Sequence, residues 1–469
     1  MKGGERPVDV STRRRPHQPA LATDPIRIAI IGAGDRGRRT YGRWCLEHPD
    51  QAKVVAVADT DPDRRAALVA EHDLPDGQAF GDWRELLAHD RTADAIVIAT
   101  PDREHAAPAI AALAGGHHVV LEKPIAPTAD EVRAVGEAAA HSAGSVTVAH
   151  VLRYTPFFTA VKRTLDEGVI GELVTIEYAE RIGYWHFAHS FVRGNWRREA
   201  DASPMILAKA CHDLDLVRWL AGDRCTAVSS FGGLRHFRAD EAPPGAHDRC
   251  TDGSVRCPVA ASCPFDAVRL YVERTSEVSG WPVSVITSDP TPAGRLRALA
   301  TGPYGRCVYR SDNDVVDHQA VAMEFANGVH ATLTVNGLTA DNTRQVHLHG
   351  TRGELRGRLD TGEIEVRRFL PGVRVSRVGP WDRDAQGRQA VRDDERIVLD
   401  TASVPSGGHG GGDAGLMADV VARLRARRDG VAGADDAART SLAASLESHF
   451  MAFAAEQSRH ERRVVELVP

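Results

Sequence analysis

The chain has 469 residues, 58 Lys and Arg against 64 Asp and Glu, a net charge of −6, and seven cysteines. That length supplies core for two or three domains, and the slight acidic excess argues against nucleic acid or an anionic membrane as the main partner. Seven cysteines over this length are not a secreted disulfide framework, and no apolar run approaches the ~20 residues of a transmembrane helix. Residues 1–24 are polar and carry Arg13-Arg14-Arg15. A twin-arginine export signal needs an apolar segment next, and none follows. The stretch reads as a disordered tail on a cytoplasmic protein.

The run Ile26 to Ile31 has the length and β-branched content of a buried strand. Gly32-Ala33-Gly34-Asp35-Arg36-Gly37 follows at once, and a second apolar run, Val54 to Ala58, ends in Asp59. This is the G-x-G-x-x-G arrangement of a dinucleotide site. Gly32 allows the turn, Gly34 admits a pyrophosphate close to the backbone, Gly37 lets the helix pack on the sheet, and the helix N-terminus offers free N–H groups. Asp35 and Arg36, between these glycines, join the expected cofactor loop. Asp59 stands where a carboxylate accepts both ribose hydroxyls. It would repel a 2′-phosphate, which favours NAD over NADP, although Arg64 and Arg65 just beyond leave NADP open.

Further strands are expected at 95–99, 117–121 and 146–149, with helices after 61, at 103–115 and at 129–141. Strands and helices alternating at these lengths predict a doubly wound parallel sheet over 25–150. Ligands of such sheets bind beyond the C-terminal strand ends, where Thr100, Pro101, Glu122, Lys123 and His150 fall. The period then changes. A helix is expected at 156–168, strands at 173–179, 226–231, 318–325, 328–335 and 345–349, and a continuous helix from Pro204 to Leu220. These predict a second α/β domain over 151–410 with a large, mostly antiparallel open sheet. Residues 360–405 read as strands with long loops, and 411–469 as C-terminal helices, at 416–427 and 435–459.

On the expected helix from Pro204, Lys209, His212, Asp213 and Leu216 are spaced i, i+3, i+4 and i+7 and share one face. Histidine suits a general base near neutral pH; a packing role is the plainer alternative. Asp213 is equally well read as the i+4 partner of Lys209, or as a substrate contact. Cys250, Cys257 and Cys263 lie within fourteen residues, and Cys307 follows, in a Pro- and Gly-rich insertion over about 238–312. Four thiolates can close a tetrahedral site that pins such a loop. Structural zinc is the first expectation and an iron–sulfur cluster the second; free thiols are the plain alternative, and His247 is a substitute ligand. The motif Gly407 to Asp413 around His409 reads as a loop with unusual backbone angles lying against a ligand, or as a connector.

The glycine fingerprint, A-T-P-D-x-x-H from Ala99 to His105, L-E-K-P from Leu121 to Pro124 and C-H-D-L-D-L from Cys211 to Leu216 occur in this order. In these motifs the chain resembles the glucose–fructose oxidoreductase / inositol dehydrogenase / MocA (Gfo/Idh/MocA) family, from about residue 26 to 459. The resemblance implies a Rossmann domain, an open-sheet domain through which members form homodimers or homotetramers, and NAD(P)-dependent oxidation or reduction of sugars and polyols. It implies that Lys123 lies by the nicotinamide and polarises the substrate hydroxyl, and that His212 takes the hydroxyl proton. His105 would shape the cofactor site, and Arg153, with Tyr184 and His186 of an aromatic loop, would meet substrate. Family sugar dehydrogenases often carry an aspartate four residues before this histidine. Here that position is Ala208, with Lys209 next to it as a candidate second catalytic cation. The departure brings in an alternative on the same fold, a redox-assisted glycosidase that oxidises, eliminates, hydrates and re-reduces. A non-catalytic sensor is a third reading, opposed by the presence of both Lys123 and His212.

Overall fold

A computed structural model describes residues 24–89, 93–252, 255–369, 394–401, 408–431, 433 and 438–467. The tail expected over 1–24 falls almost wholly outside them. Six strands build the first sheet: β1 (Ile26–Ile31), β2 (Ala52–Ala58), β3 (Ala79–Phe80), β4 (Ala95–Ile98), β5 (His118–Leu121) and β6 (Val146–Val148). All pair in parallel, in the order β3-β2-β1-β4-β5-β6. This is the doubly wound order, whose ligand crevice opens where the chain reverses between β1 and β4. The crossovers carry α1 (Arg43–Glu47), α2 (Pro62–His72), α3 (Trp83–His89), α4 (Ala106–Ala114) and α5 (Ala129–Ala140). Local chemistry sets their starts: Asp61 caps α2 through the N–H groups of Asp63 and Arg64, and Thr128 caps α5 through that of Glu131.

The second sheet has nine strands: β7 (Leu173–Gly183), β8 (Cys225–Gly233), β11 (His318–Phe325), β12 (His330–Thr339), β13 (Thr343–Gly350), β14 (Gly353–Arg358), β15 (Glu363–Phe369), β16 (Asp394–Asp400) and β17 (Val465–Glu466). Its order is β16-β15-β14-β13-β7-β12-β11-β8-β17, and only the β7–β12 pair is parallel. Strict alternation of buried and exposed residues along β11 and β12 gives one covered face and one open face. Against the covered face pack α6 (Pro156–Asp166), α7 (Tyr184–Phe187), α8 (Met205–Ala208) and α9 (Cys211–Ala221). The insertion between β8 and β11 holds a two-stranded ribbon, β9 (Thr251–Asp252) with β10 (Val255–Arg256), and α10 (Pro292–Thr301). It has its own small core of Cys250, Ala267, Tyr271, Leu299 and Tyr304.

The last two helices join the layers. α11 (Gly412–Arg428) buries Leu416, Met417, Val420 and Val421 against the first sheet. Each such side chain contributes about 1.5–3 kcal/mol of burial. α12 (Leu442–Glu461) sends Leu442 to the first sheet and Met451, Ala452 and Ala455 to the second. It begins at 442 rather than at the expected 435, because Ser441 caps it through the Ala444 N–H.

The expected continuous helix from Pro204 to Leu220 is corrected. It breaks after Ala208; Ala210 sits at φ −88°, ψ 8°, and α9 starts afresh at Cys211. The i, i+3, i+4, i+7 stripe is therefore not one helical face. Lys209 lies in the break, ahead of the helix that carries His212 and Asp213.

Candidate active site

The glycine loop leaves β1 with Gly32 at φ +94°, where a Cβ would lie 2.6 Å from the Ala99 carbonyl oxygen. A Cβ on Gly37 would overlap the Gly32 carbonyl oxygen. Neither position accepts a side chain. Gly34 differs: the nearest atom to a Cβ there is Arg64 Nη1, at 4.0 Å. The loop is open at the one glycine where a pyrophosphate must come close. Asp59 Oδ2 accepts from Ala33 N at 2.6 Å and Oδ1 from Asp61 N at 2.8 Å. A carboxylate has about four lone-pair sites, so it can still accept from a ribose diol. These features fit a dinucleotide.

Strand ends close the crevice on the other side. Glu122, buried after β5, accepts from Arg36 Nε and from the Tyr41 hydroxyl, each at 2.5 Å. Arg36 also donates to Asp413 Oδ1 at 2.7 Å. The expected Arg36 and Glu122 thus meet each other and tie the glycine loop to α11. The other Glu122 oxygen, Oε2, accepts from the Lys123 backbone N–H at 3.1 Å. Asp35 Oδ1 accepts from the Ser284 hydroxyl of the insertion at 3.4 Å. Thr100 holds the turn after β4 by donating to the Glu104 carbonyl at 2.9 Å, and Pro101 starts the next helical turn. His105 is buried with its ring nitrogens 2.6 Å from the Pro124 carbonyl oxygen and 2.8 Å from that of Thr100. It joins two strand-end loops.

Lys123 Nζ donates to the Ala208 carbonyl at 2.8 Å and sits 5.8 Å over the Trp196 ring. No carboxylate lies within ion-pair distance of it among the described residues. The break between α8 and α9 presents the carbonyl that positions this ammonium. His212, 4 % exposed, is one residue into α9. Its Nδ1 has no hydrogen-bond partner. Its ring meets His150 edge-on at 5.6 Å and His409 at 5.9 Å. Burial holds the imidazole well below its ordinary pKa, and the positive charges of Lys123 and Arg344 add to this. His212 is therefore neutral near pH 7, the form that can take a proton.

His409 reaches this cluster from a left-handed backbone, φ +50°, followed by Gly410 and Gly411 at φ +63° and +86°. The unusual angles expected of this motif are present. Its Nδ1 lies 3.0 Å from Asp413 Oδ2, so Asp413 links His409 to Arg36.

Other expected residues are committed elsewhere. Lys209 Nζ pairs with buried Glu180 at 3.3 Å, and burial lowers its pKa. Arg344 Nε binds both Glu180, at 3.0 Å, and Asp213, at 2.7 Å. Asp213 is thus the partner of Arg344, not of Lys209, and burial raises its pKa against the pull of that arginine. Arg153 makes a bidentate pair with Asp215, both contacts 2.6 Å, and donates to the Arg439 carbonyl. Its fork has no donor pair left for a substrate, so it acts as a strut between α9 and the residues before α12. Tyr184 packs edge-on to Phe265 of the insertion. His186 meets Asn342 Oδ1 at 2.9 Å and lies 5.0 Å from the Trp281 ring.

In the sequence His150 is only a strand-end residue and Asp413 only the end of a glycine-rich motif, while Glu180, Arg344 and Trp196 carry no local signal. His150 carried a signal, its place after β6. The others are brought in by pairing across elements far apart in the chain.

The four clustered cysteines, with Arg193, line one cavity inside the insertion. Among the described residues, three or more ligand atoms within 4.8 Å of one another occur at Glu177–His347–His349 and Glu199–Glu456–His460, and the cysteine sulfurs form no such set. A single zinc ion with bonds of about 2.3 Å needs sulfurs about 3.8 Å apart. The expectation of a zinc site at Cys250, Cys257, Cys263 and Cys307 finds no support in this spacing. His247 lines the same cavity and gives its backbone N–H to Cys257 Sγ at 3.5 Å.

Residues 26–150 match the model of the oxidoreductase family with an NAD-binding Rossmann fold, GFO_IDH_MocA, and residues 158–356 match the GFO/IDH/MocA C-terminal domain. YteT of Bacillus subtilis is 25 % identical over 401 residues, 84 % of this chain and 88 % of that one. Inositol 2-dehydrogenase 1 of Saccharopolyspora erythraea is 32 % identical over 205 residues; the match spans 44 % of this chain and 57 % of that relative. A levoglucosan dehydrogenase solved with NADH and levoglucosan superposes with a TM-score of 0.64 at 18 % identity, over 95 % of this chain and 100 % of the other.

Proposed function

The chain belongs to the Gfo/Idh/MocA oxidoreductase family, and from that premise we propose that it is an NAD-dependent dehydrogenase of a small carbohydrate-like substrate. Hydride passes between the nicotinamide and a carbinol carbon of a sugar, sugar acid, cyclitol or glycoside. The observation that carries this reading is the convergence of Lys123, at the end of β5, on the α8–α9 junction, where neutral His212 stands.

Bound NAD would supply the hydride acceptor in oxidation and the donor in reduction. The chain's own residues do the rest. Gly32, Gly34 and Gly37 let the pyrophosphate approach, and Asp59 takes the ribose hydroxyls. Arg65 Nη1 is spent on the Asp59 carbonyl and Arg64 pairs with Asp61, which supports NAD over NADP. His212 accepts the substrate hydroxyl proton on its ring. The Lys123 ammonium, aimed by the Ala208 carbonyl, stabilises the oxygen as negative charge develops. His409 and His186 are proposed to border the substrate, with Tyr184 as support. Lys209 is paired with Glu180, so the second cation of the redox-assisted glycosidase reading is not free for substrate. The open face of the second sheet is proposed to join subunits into a homodimer or homotetramer.

A panel of polyols, sugars and sugar acids, assayed with NAD for NADH formation, tests the reading. At least one should give NADH. His212→Ala and Lys123→Met should each keep NAD binding and lose about 10²–10⁴-fold in kcat. A folded protein that binds no NAD, or that releases free sugar from glycosides without net NADH, overturns it.

A further inference from the structure

The insertion contains a full set of ligands that the dehydrogenase reading does not use. Cys250, Cys257, Cys263 and Cys307 carry no disulfide. They come from three separate places: the end of a loop beside β9, the turns after β10, and the segment after α10. Backbone hydrogen bonds fix them relative to one another, with Cys257 N donating to the Cys250 carbonyl and Cys307 N to that of Asp248. All four line the same small cavity. Yet no three of their sulfurs lie within 4.8 Å of one another.

The occupant's size and charge follow. The four cysteines and Arg193 surround one small cavity. Thiolates around a cubane iron–sulfur cluster stand roughly 6 Å apart, against about 3.8 Å around zinc. Arg193 shares the cavity wall and is 1 % exposed. Its Nε donates to the Arg306 carbonyl at 2.8 Å and its Nη2 to the Phe265 carbonyl at 2.8 Å and to Cys250 Sγ at 3.4 Å. Its Nη1 has no partner, and among the described residues no carboxylate forms an ion pair with it. An arginine is always charged, and an unpaired buried charge costs several kcal/mol. Thiolates of these cysteines, with the group they hold, can supply the counter-charge. A cubane with four thiolate ligands is a dianion in its oxidised form and accepts hydrogen bonds at its sulfurs.

We propose that Cys250, Cys257, Cys263 and Cys307 bind a [4Fe–4S] cluster, with Arg193 as its buried counter-ion. Its role is structural. It pins an insertion whose core is otherwise small, and which sets Ser284 against Asp35 of the glycine loop and Trp281 against Trp185 and His186. No redox step is assigned to it, and the inference stands or falls independently of the hydride-transfer reading.

The full chain, produced in iron-replete cells and purified without oxygen, is assayed for iron, acid-labile sulfide and zinc, and its visible absorption is recorded. The expected result is about four iron and four sulfide per chain, with a broad charge-transfer band that bleaches on reduction. Cys45→Ser, a buried cysteine remote from the cavity, should keep iron and sulfide; Cys263→Ser should lose the band. If Cys263→Ser does not fold, Arg193→Met serves in its place, with the cluster lost on brief exposure to air under conditions where the parent keeps it. One zinc per chain without sulfide overturns the proposal. So does a folded protein that takes up neither iron nor sulfide after anaerobic incubation with ferrous iron, sulfide and thiol.

Discussion

At the scale of single residues, the site depends on keeping histidines neutral. His212 and His449 are buried on either side of His150, and burial lowers all three below the ordinary histidine value, His449 to about 3. The sign for stability follows. Below the ordinary value of about 6.5 the unfolded chain binds protons that these folded groups refuse, so stability falls with pH. Each contributes about 1.4 kcal/mol per pH unit below that value. Urea unfolding should therefore show a clear loss of stability from pH 7 to pH 5.5, and a flat or rising profile would contradict the buried cluster. In the proposed mechanism the same depression keeps His212 competent as a base in mildly acidic solution. The acid limb of kcat/KM should lie well below the usual histidine range. Lys123 and His212 were both legible as chemistry in the sequence, because each sits in a local motif. Their setting was not. Arg344 reaches Asp213 from 131 positions away, and no periodicity reports such a pair.

At the scale of elements, sequence periodicity found the long strands of both sheets and most of the longer helices, missed β3, β14, β17, α3 and α10, and ran two helices into one. Apolar residues continue through Met205 to Leu220 without Pro or Gly, so nothing local marks the break at Lys209–Ala210. Tertiary pairing imposes it: Lys209 goes to Glu180 and the Ala208 carbonyl to Lys123. The strut between Arg153 and Asp215 is the strongest support for α9, with the two side chains 5 % and 1 % exposed. Removing one partner strands a buried charge. Arg153→Met should cost about 3–5 kcal/mol in unfolding free energy, and the double variant Arg153→Met/Asp215→Leu should recover much of it. A single variant within 1 kcal/mol of the parent, by the order-of-magnitude reasoning for surface pairs, would show that Arg153 is not a strut.

At the scale of the whole molecule, the doubly wound sheet was readable because each strand is a short, nearly unbroken apolar run between turn signals, as burial on both faces requires. The second sheet was readable as alternation along β11 and β12. Less legible was the way the C-terminal helices divide. α11 belongs to the first core and α12 to both, and an amphipathic stripe does not say which partner covers it. None of the described helices is long and apolar enough to cross a membrane. The open sheet face exposes Phe231 by 69 %, and its alternation leaves that side uncovered. Sedimentation should show a dimer or tetramer, and Phe231→Glu should weaken it; a parent that sediments as a monomer would remove the proposed interface.

The central claim is direct hydride transfer between a substrate carbon and the nicotinamide. The most direct test follows the hydrogen itself. A substrate from the panel, deuterated at the reacting carbinol carbon, is mixed with enzyme and NAD, and the nucleotide is analysed by mass after one turnover. NADH should carry the deuterium, formed in step with a ketone product. Product formed without deuterated NADH, or deuterium washed into solvent, would contradict it.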